Sequence, residues 1–461
     1  MKIRTYSGEI EGVYQNALYQ FKGIPFAQAK RFKSPSPITW KNCLDCTHFR
    51  DKSPQIEKDN PHFYNQSEDC LNLNIYTPSL HKNLPVLIEI HGGAFQNGSN
   101  QKMNPVHVIG QDEFIYITIN YRLGVLGYLY LGEELGKEYQ SSGNNGLLDQ
   151  LAAIKWIYQN IECFGGDNQR ITLLGSSAGA KSIAAILSIP EMKKYFQQVI
   201  LMSGAYQSIR DIQTAQKITE KFKQELHLDD FKDILNVPTN QLLTAQSQIC
   251  QTMGSTCYFG PVCDDIVISS HFMKNYELNS WKGNVIIGSS LYEMAFIQSM
   301  PNDTICKTMM NLFGKNFDIV FKDYQKLSQS MSASNALTKV LSDYMYRTYS
   351  YRFAQILSNS GSNVYQYTSS YLPAFHCFDH SIAFRPDKPF PNNIDKSEAL
   401  VVGKDIRNNF IHFVLHHSPE ITQWQPLSIH QSQIIWDKKT VIKDISIDDV
   451  CQNISEQVFI L

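Results

Sequence analysis

The residue best suited to covalent chemistry is Ser177, at the centre of the run Gly175-Ser176-Ser177-Ala178-Gly179. Apolar residues 171–174 precede this run and an alanine-rich stretch follows it, a pattern that predicts a strand, a tight turn and a helix. A serine at such a turn has a strained backbone and a hydroxyl pushed away from the sheet. The helix N-terminus behind it offers N–H groups to a developing negative charge. We interpret the run as the turn of a nucleophilic serine, with an ordinary small-residue turn as the alternative.

A serine hydroxyl attacks well only when a base removes its proton and a third group orients that base. Where the nucleophile stands at such a turn, the chain order is serine, acid, histidine. Glu293 follows a predicted strand at 284–289, and His376 follows another at 363–367. We therefore predict Ser177, Glu293 and His376 as a catalytic triad. Among 13 histidines and 43 acidic residues, the alternatives are Asp303 and Asp379 as the acid and His380 as the base.

A second glycine-containing loop could stabilise the negative charge that such an attack creates. The run His91-Gly92-Gly93-Ala94-Phe95 directly follows a predicted strand at 86–90. Glycines let a backbone approach a substrate without interference from Cβ atoms. We predict that the N–H groups of Gly93, Ala94 and Ala178 form an oxyanion hole; the alternative for this loop is a plain Gly-Gly turn.

Alternating strand and helix signals between residues 85 and 203 indicate how these groups are positioned. Buried strands are predicted at 86–90, 115–119, 171–174 and 199–202. A helix is predicted by an apolar stripe with three- and four-residue spacing, formed by Leu147, Leu151, Ile154, Ile157 and Ile161. Such alternation favours an α/β fold with a mostly parallel central sheet flanked by helices. The first eighty residues are expected to add antiparallel edge strands.

The region from about 209 to 357 has a different character, with helical, Gln- and Lys-rich segments interrupted by the predicted strand at 284–289. No internal repeat or flexible linker separates it from the rest of the sequence. We therefore predict a single domain over residues 1–461, with a largely helical insertion at about 209–357.

The composition excludes several classes of function. The net charge of −2 over 461 residues gives no electrostatic basis for binding nucleic acid or an anionic membrane. No stretch approaches the roughly 20 apolar residues that span a bilayer, and the first residues lack the apolar core of a signal peptide. We expect a cytoplasmic enzyme, monomeric or a small homo-oligomer, that acts on a small molecule.

Neither metal nor cofactor is expected. Cys43 and Cys46 have a spacing found in zinc and redox sites, but no second pair follows to complete a zinc site. His412 and His416 have helical spacing but lack the glutamate of the metalloprotease motif. The ten cysteines are scattered and are interpreted as reduced packing residues.

Taken together, the motifs resemble those of the type-B carboxylesterase and cholinesterase family, especially its short bacterial members that act on p-nitrobenzyl esters. The resemblance spans nearly the whole chain and is strongest in its first half. Besides the two glycine-containing runs, it rests on residues 21–27, 67–76, 120–127 and 143–150, and on Phe164-Gly165-Gly166-Asp167, Ala374-Phe375-His376 and Trp424-Gln425-Pro426.

The resemblance implies an α/β-hydrolase fold and a serine carboxylesterase that needs no cofactor and forms an acyl-serine intermediate. It assigns the nucleophile to Ser177, the base to His376 and the acid to Glu293, and it assigns the oxyanion donors to Gly93, Ala94 and Ala178. It also implies that Ser203 supports the acid–histidine pair. Two alternatives stay open: the same triad acting on amides or thioesters, and a non-catalytic cholinesterase-like binding module.

The chain departs from the family pattern at several positions. Ser176 stands where a glutamate usually precedes the nucleophile, which removes a buried charge beside the site. Tyr292 and Met294 flank Glu293 in place of aspartate and glycine, and His380 replaces a common leucine. Cys70 matches a cysteine that is often bridged in secreted members, but its partner position holds Ser53. The departures suggest a divergent member with modest or unusual activity.

Overall fold

The computed structural model describes residues 1–60, 62–250, 258–278, 281–295, 302–392 and 394–445. The chain forms two compact units. Unit 1 comprises Met1–Gln198 and Ser208–Asn275, and unit 2 comprises Val199–Gln207 and Tyr276–Leu461. Each unit has its own set of paired strands and packed helices.

Unit 1 carries the glycine-containing runs. Its strands are β1 (Lys2–Arg4), β2 (Glu9–Glu11), β3 (Val13–Gln15), β4 (Leu18–Pro25), β5 (Leu44–Asp45), β6 (Asn72–Thr77), β7 (Leu84–Ile90), β8 (Ile115–Ile119) and β9 (Gly166–Ser176). Its helices are α1 (Pro105–Ile109), α2 (Gly124–Tyr128), α3 (Gly132–Leu135), α4 (Asn145–Asn160), α5 (Ala178–Leu187), α6 (Ile212–Leu226) and α7 (Thr239–Ile249).

The strand order in unit 1 is β3-β4-β6-β8-β7-β9. The central strand β7 pairs in parallel with both β8 and β9. The strands toward the N-terminal edge pair antiparallel, β8 with β6, β6 with β4 and β4 with β3. Every residue of β7 and β8 is buried, as expected for strands covered on both faces.

Unit 2 carries the later strands and most of the remaining helices. Its strands are β10 (Gln198–Met202, from Val199 onward), β11 (Asn284–Ser290), β12 (Asn363–Ser369), β13 (Ser432–Trp436) and β14 (Val441–Asp444). The helix α8 (Phe272–Glu277) ends in this unit, which also contains α9 (Asn302–Phe313), α10 (Phe317–Leu327), α11 (Ala333–Ser342), α12 (Thr348–Asn359), α13 (Phe378–Phe384) and α14 (Lys396–His416).

The strand order in unit 2 is β10-β11-β12-β13-β14. The pairs β11–β12 and β12–β13 are parallel, and β14 closes the edge antiparallel to β13. Because β11 and β12 are parallel neighbours, the loops that leave their carboxyl ends lie side by side. These loops carry Glu293 and His376.

The predicted strands and the predicted α/β class are confirmed. The strand at 115–119 has the predicted bounds, and the others extend the predicted segments by one to several residues. The apolar stripe follows α4 and ends at Ile161, directly after this helix, and its members are buried. Strands β13 and β14 were not predicted. The single domain over 1–461 stays a prediction. The described part of the region from about 209 to 357 contains the helices α6 to α11, most of α12 and the strand β11.

Among the helices in the described ranges, none has the length and apolar composition needed to cross a bilayer.

Candidate active site

Ser177 lies in the predicted turn between β9 and α5. Its backbone angles are φ 54° and ψ −119°, a conformation that non-glycine residues rarely adopt. Ser177 is partly exposed, whereas its neighbours Ser176 and Ala178 are buried. The turn therefore presents one hydroxyl to the surroundings, as the sequence predicts for a nucleophile.

Gly179, in the run around Ser177, is required by a close contact with the backbone of another strand. A Cβ atom on Gly179 would lie 1.9 Å from the carbonyl oxygen of Ile90, which ends β7. No side chain fits at that distance. Gly179 therefore lets the first turn of α5 approach the end of β7, and this approach fixes Ser177 above the carboxyl ends of the parallel strands.

The second glycine-containing loop packs directly against this turn. A Cβ atom on Gly92 would lie 2.6 Å from the backbone oxygen of Ser176 and 3.1 Å from Cβ of Ser177. Ala94 is also held at positive φ, 53°. Within unit 1 the structure thus brings the two predicted runs together.

The predicted oxyanion donors share one property. The backbone hydrogen bonds of the described residues include none donated by the N–H groups of Gly93, Ala94 or Ala178. For Ala178 the reason is general, because the first N–H groups of a helix have no partner within the helix. Backbone N–H groups of this kind can stabilise an oxyanion.

Neighbouring side chains hold the loop of Gly92 in place. Gln55 makes two hydrogen bonds of 2.8 Å to the backbone of Gly98, one as donor and one as acceptor. The hydroxyl of Tyr121 donates to the carbonyl of His91 over 2.7 Å, and the two rings stack with centroids 4.4 Å apart. Burial lowers the pKa of His91 to about 4, so this ring is neutral at neutral pH.

Beneath this layer lies a buried ion pair between two of the family-like motifs. Arg122 donates from Nε and Nη2 to the two carboxylate oxygens of Asp149 over 2.8 and 2.7 Å. Both side chains are almost completely buried, and Asp149 also accepts from the backbone N–H of Arg122. The pair joins the segment after β8 to the N-terminal half of α4.

In unit 2, the predicted acid and base are in direct contact. The carboxylate of Glu293 is fully buried, and its Oε2 lies 2.5 Å from Nδ1 of His376. Its Oε1 accepts from the N–H of Ser290 over 2.7 Å. The two loops are also joined by the N–H of Tyr292, which donates to the carbonyl of Ala374 over 3.0 Å.

The surroundings of His376 favour its protonated form. Burial of the ring lowers its pKa, but the neighbouring Cys377 side chain and the Glu293 carboxylate outweigh burial and raise the pKa above 6.5. Burial in turn raises the pKa of the Cys377 thiol. The ring centroids of Tyr346 and His376 lie 4.9 Å apart.

The alternative acid Asp379 and the alternative base His380 make other contacts. The carboxylate of Asp379 accepts from the hydroxyl of Tyr367 and from the N–H of His380, each over 2.8 Å. Burial and the charge of Glu293 raise the pKa of Asp379. The His380 ring packs on Phe384 with centroids 5.5 Å apart. The side chain of Asp303 lies outside the described residues.

The predicted supporting residues have distinct surroundings. Ser203 is fully buried at positive φ, 55°, and its N–H donates to the carbonyl of Gly288. Its hydroxyl has no hydrogen-bond partner among the described residues, so its support of the acid–histidine pair stays a prediction. Ser176 is buried directly before the nucleophile turn.

Sequence reasoning did not assign roles to Gln55, Tyr121, Tyr346 or Cys377. Tyr121 lies within a quoted motif and Cys377 directly follows His376, so proximity in the sequence was a usable signal for both. Gln55 and Tyr346 contact their partners through the fold alone, across long separations in the chain.

The cysteine and histidine pairs that the sequence analysis did not interpret as metal sites make ordinary packing and hydrogen-bond contacts. Cys43 and Cys46 are free thiols, and so is Cys70, which hydrogen-bonds to the Ser53 hydroxyl. Cys257 lies outside the described residues. His412 and His416 are neighbours on α14, and Nδ1 of His412 contacts the carbonyl of Ser418. Within the described ranges, no group of three or more ligand-type side chains is arranged to hold a metal.

Comparison with known proteins places these features in context. The model of the carboxylesterase family matches residues 1–444. The chain is 36% identical over 285 residues to para-nitrobenzyl esterase of Bacillus subtilis, an alignment that covers 57% of this chain and 56% of that protein. It is 32% identical over 296 residues to a probable N-octanoylanthranilate hydrolase of Rhodococcus erythropolis. That alignment covers 60% of this chain and 63% of the relative. The alignments therefore span less than two thirds of either relative.

Among solved structures, the carboxylesterase EST55 of Geobacillus stearothermophilus has a TM-score of 0.85 and 26% identity, and covers 97% of this chain and 98% of its own. The similarity extends over both units and confirms the predicted α/β-hydrolase fold.

Proposed function

The chain belongs to the carboxylesterase family, and we propose that it hydrolyses carboxylic esters through an acyl-serine intermediate. The observation that carries the proposal is the strained turn at Ser177, packed in unit 1 against the loop that contains Gly93 and Ala94. The contact between Glu293 and His376 in unit 2 supplies a base with its orienting acid. These are the parts that acyl transfer to a serine requires.

In the proposed acylation, His376 accepts the proton of the Ser177 hydroxyl as its oxygen attacks the ester carbonyl. The N–H groups of Gly93, Ala94 and Ala178 stabilise the oxyanion, and one such donor typically contributes about 3 kcal/mol to lowering the barrier. The imidazolium then gives its proton to the departing alcohol, and the C–O bond to that alcohol breaks.

In the proposed deacylation, His376 removes a proton from a water molecule that attacks the acyl-serine carbonyl. Collapse of the second tetrahedral intermediate breaks the bond to Ser177, returns the proton to its oxygen and releases the carboxylic acid. Glu293 accepts a hydrogen bond from Nδ1 throughout, which keeps Nε2 as the nitrogen that exchanges protons and stabilises the imidazolium.

The test compares the wild type with Ser177→Ala and a control variant, Ser188→Ala, on a series of p-nitrophenyl esters of increasing acyl length. Ser188 is a buried serine at the end of α5. We expect kcat to fall by roughly 10⁶-fold in Ser177→Ala, as in other serine hydrolases that lose the nucleophile, and to change little in Ser188→Ala. Equal turnover by the wild type and Ser177→Ala would refute the proposal. The optimum acyl length reports the depth of the acyl pocket.

A second candidate keeps the same groups and acts on amides. It is favoured by the similarity to the Rhodococcus protein, whose name describes hydrolysis of an N-octanoyl compound. The two candidates separate on matched substrates, for example an octanoyl ester and an octanoyl amide of the same aromatic group. A higher kcat/KM for the amide would replace the ester proposal.

A non-catalytic binding module is the remaining alternative. A serine-directed organophosphate distinguishes it, because such a reagent reacts much faster with an activated serine than with an ordinary side chain. Stoichiometric labelling that maps to the peptide of Ser177 is expected here, and the Ser177→Ala variant should remain unlabelled. A cytoplasmic location and a monomeric or small oligomeric state stay predictions.

A further inference from the structure

A turn of π-helix in unit 2 joins α11 to α12. It comprises Asp343–Arg347, between Ser342 at the end of α11 and Thr348 at the start of α12. A π-helical turn is wider than an α-helical turn, is rare in proteins, and frequently occurs at functional sites. The surroundings of this turn therefore indicate what it positions.

The buried side chains around the π-helical turn require its extra residue. They recur at intervals of three or four residues, except for one interval of five between Tyr344 and Tyr349. The buried set is Leu337, Leu341, Tyr344, Tyr349, Phe353 and Leu357. In a regular α-helix, one additional residue turns the following side chains by about 100°. The wider turn absorbs this residue, so both helices keep a buried face and Tyr346 lies between the two halves.

Ion pairs and a hydrogen bond fix the π-helical turn. The carboxylate of Asp343, its first residue, accepts from Nζ of Lys339 and from Nη1 of Arg347, the latter over 2.6 Å. The hydroxyl of Tyr344 donates to the carboxylate of Asp323, on α10, over 2.5 Å. The side chains of the two ion pairs are at most 21% exposed, so salt screens them less than pairs on the surface.

The π-helical turn and the residue before it contact both loops of the acid–base pair. The hydroxyl of Ser342 accepts from the N–H of Met294, the residue after Glu293, over 3.0 Å. The ring of Tyr346 is only 8% exposed, and its centroid lies 4.9 Å from that of His376 at an interplanar angle of 56°. One fixed element therefore supports the loop of the acid and packs on the base itself.

The position of the Tyr346 ring matters when His376 takes a proton. An aromatic ring attracts a cation that lies within about 6 Å of its centroid, and the imidazole becomes a cation only on protonation. The packed ring also restricts rotation of the imidazole away from its acceptor, and small errors in the position of a catalytic group are costly.

The titratable groups around the base differ from this ring in kind. In the described part of unit 2, His376 is faced by Glu293, from the loop after β11, and by the adjacent Cys377. Asp379 and Tyr367 act in turn on Glu293 and on each other. Replacing the tyrosine of the π-helical turn leaves all of these groups in place, so its effect can be measured separately from theirs.

We propose that Tyr346 is a positioning residue for the base. Its ring, fixed by the π-helical turn, keeps the imidazole of His376 against Glu293 and stabilises the imidazolium that forms during proton transfer. The role in proton transfer rests on the proposed function; the packing of the two rings does not.

The test compares Tyr346→Leu and Tyr346→Met, which remove the ring, with Tyr346→Phe, which keeps it. The control is Tyr365→Leu, at a tyrosine that is 7% exposed and packs on Phe413 and Trp424 rather than on His376. Without the ring, we expect the midpoint of the pH profile of kcat/KM to fall by about 0.5–1 pH unit, and kcat to fall on the order of 10-fold. Tyr346→Phe and Tyr365→Leu should keep the wild-type midpoint.

The same shift is measured without turnover by NMR titration of the His376 ring in protein that contains isotope-labelled histidine, its signal assigned by its absence in His376→Asn. A lower midpoint confined to the variants without the ring supports the proposal. Equal midpoints for Tyr346→Leu and Tyr365→Leu, or a fall in Tyr346→Phe as large as that in Tyr346→Leu, overturn it. Because the titration needs no substrate, an inactive wild type would refute the proposed function, while the titration still decides whether the ring stabilises the imidazolium.

Discussion

Oε2 of Glu293 lies 2.5 Å from Nδ1 of His376, while Oε1 of the same carboxylate is held by the N–H of Ser290. The acid is thereby fixed at both oxygens, by the end of β11 and by the ring it orients. Because Nδ1 is engaged, the proposed proton transfer by this ring would use Nε2.

The pH profile of turnover is the first consequence. Burial opposes protonation of His376, but its contact with Cys377 and the charge of Glu293 raise its pKa above 6.5. Only the neutral ring can accept a proton, so kcat/KM is expected to rise with pH and to reach its plateau above the range of an ordinary histidine. The measurement is kcat/KM for a slow ester from pH 5 to 10. A flat profile contradicts the role of His376 as base.

Glu293→Gln tests the cause of that shift. Glutamine removes the negative charge that stabilises the imidazolium, so the midpoint of the pH profile should move to lower pH while kcat at the plateau falls. Glu398→Gln is the control, because Glu398 is a partly exposed carboxylate of unit 2 whose partner is Lys438. If both variants have the wild-type midpoint, the charge of Glu293 does not act on the base.

Tyr121→Phe tests how the loop of Gly92 is held. The change deletes one hydroxyl and leaves the buried carbonyl of His91 without its donor. We expect a loss of about 1–3 kcal/mol in the free energy of unfolding, and a lower kcat because the loop that carries the oxyanion donors is less rigid. Tyr64→Phe, at a 68% exposed tyrosine, should match the wild type in both chemical denaturation and kcat.

The sequence was sufficient to predict the strands, turns and loops on which the candidate site residues lie. The turn of Ser177 and the loop of Gly92 each follow a strongly apolar strand, so their position at carboxyl ends of strands could be inferred. Glu293 and His376 were placed beyond two predicted strands, and those strands are parallel neighbours in unit 2. The prediction that Glu293 and His376 lie on neighbouring loops therefore rested on their order in the chain and on parallel strand pairing.

Contacts that depend on packing could not be predicted in this way. Gln55 contacts Gly98 and Tyr346 contacts His376 across long separations in sequence, and neither pair has a periodic signal. The family resemblance favoured Glu293 over Asp379 as the acid, but the hydrogen bond from the Tyr367 hydroxyl to the carboxylate of Asp379 could not be predicted. Strand β14 is exposed throughout, so the alternation of apolar and polar residues that marks other strands is missing.

Gly92→Ala tests the contact between the loop and the nucleophile turn. The added Cβ would lie 2.6 Å from the oxygen of Ser176, so the loop or the turn must shift, and kcat should fall more than stability does. Gly136→Ala is the control, since its Cβ meets open space and only its φ of 86° is unfavourable. We expect Gly136→Ala to retain full kcat with a stability loss of about 1 kcal/mol. Similar kcat values for the two variants would show that the contact at Gly92 does not constrain the turn.

The last prediction concerns the buried pair of Arg122 and Asp149. Removing one partner leaves a charge in a site with almost no solvent access, so Arg122→Met should lower the free energy of unfolding by about 3–5 kcal/mol. The exposed pair of Lys82 and Glu113 provides the comparison, and Lys82→Met should cost less than about 1 kcal/mol. Denaturant unfolding of both variants measures the difference.

The double variant Arg122→Met with Asp149→Leu separates the cost of an unpaired charge from the loss of the pair itself. It leaves no buried charge, so it should be more stable than Arg122→Met alone, although the N–H of Arg122 loses its acceptor on Asp149. If the double variant is the less stable of the two, the pair contributes more than charge neutralisation. The bidentate geometry that joins the segment after β8 to α4 would then itself be required for stability.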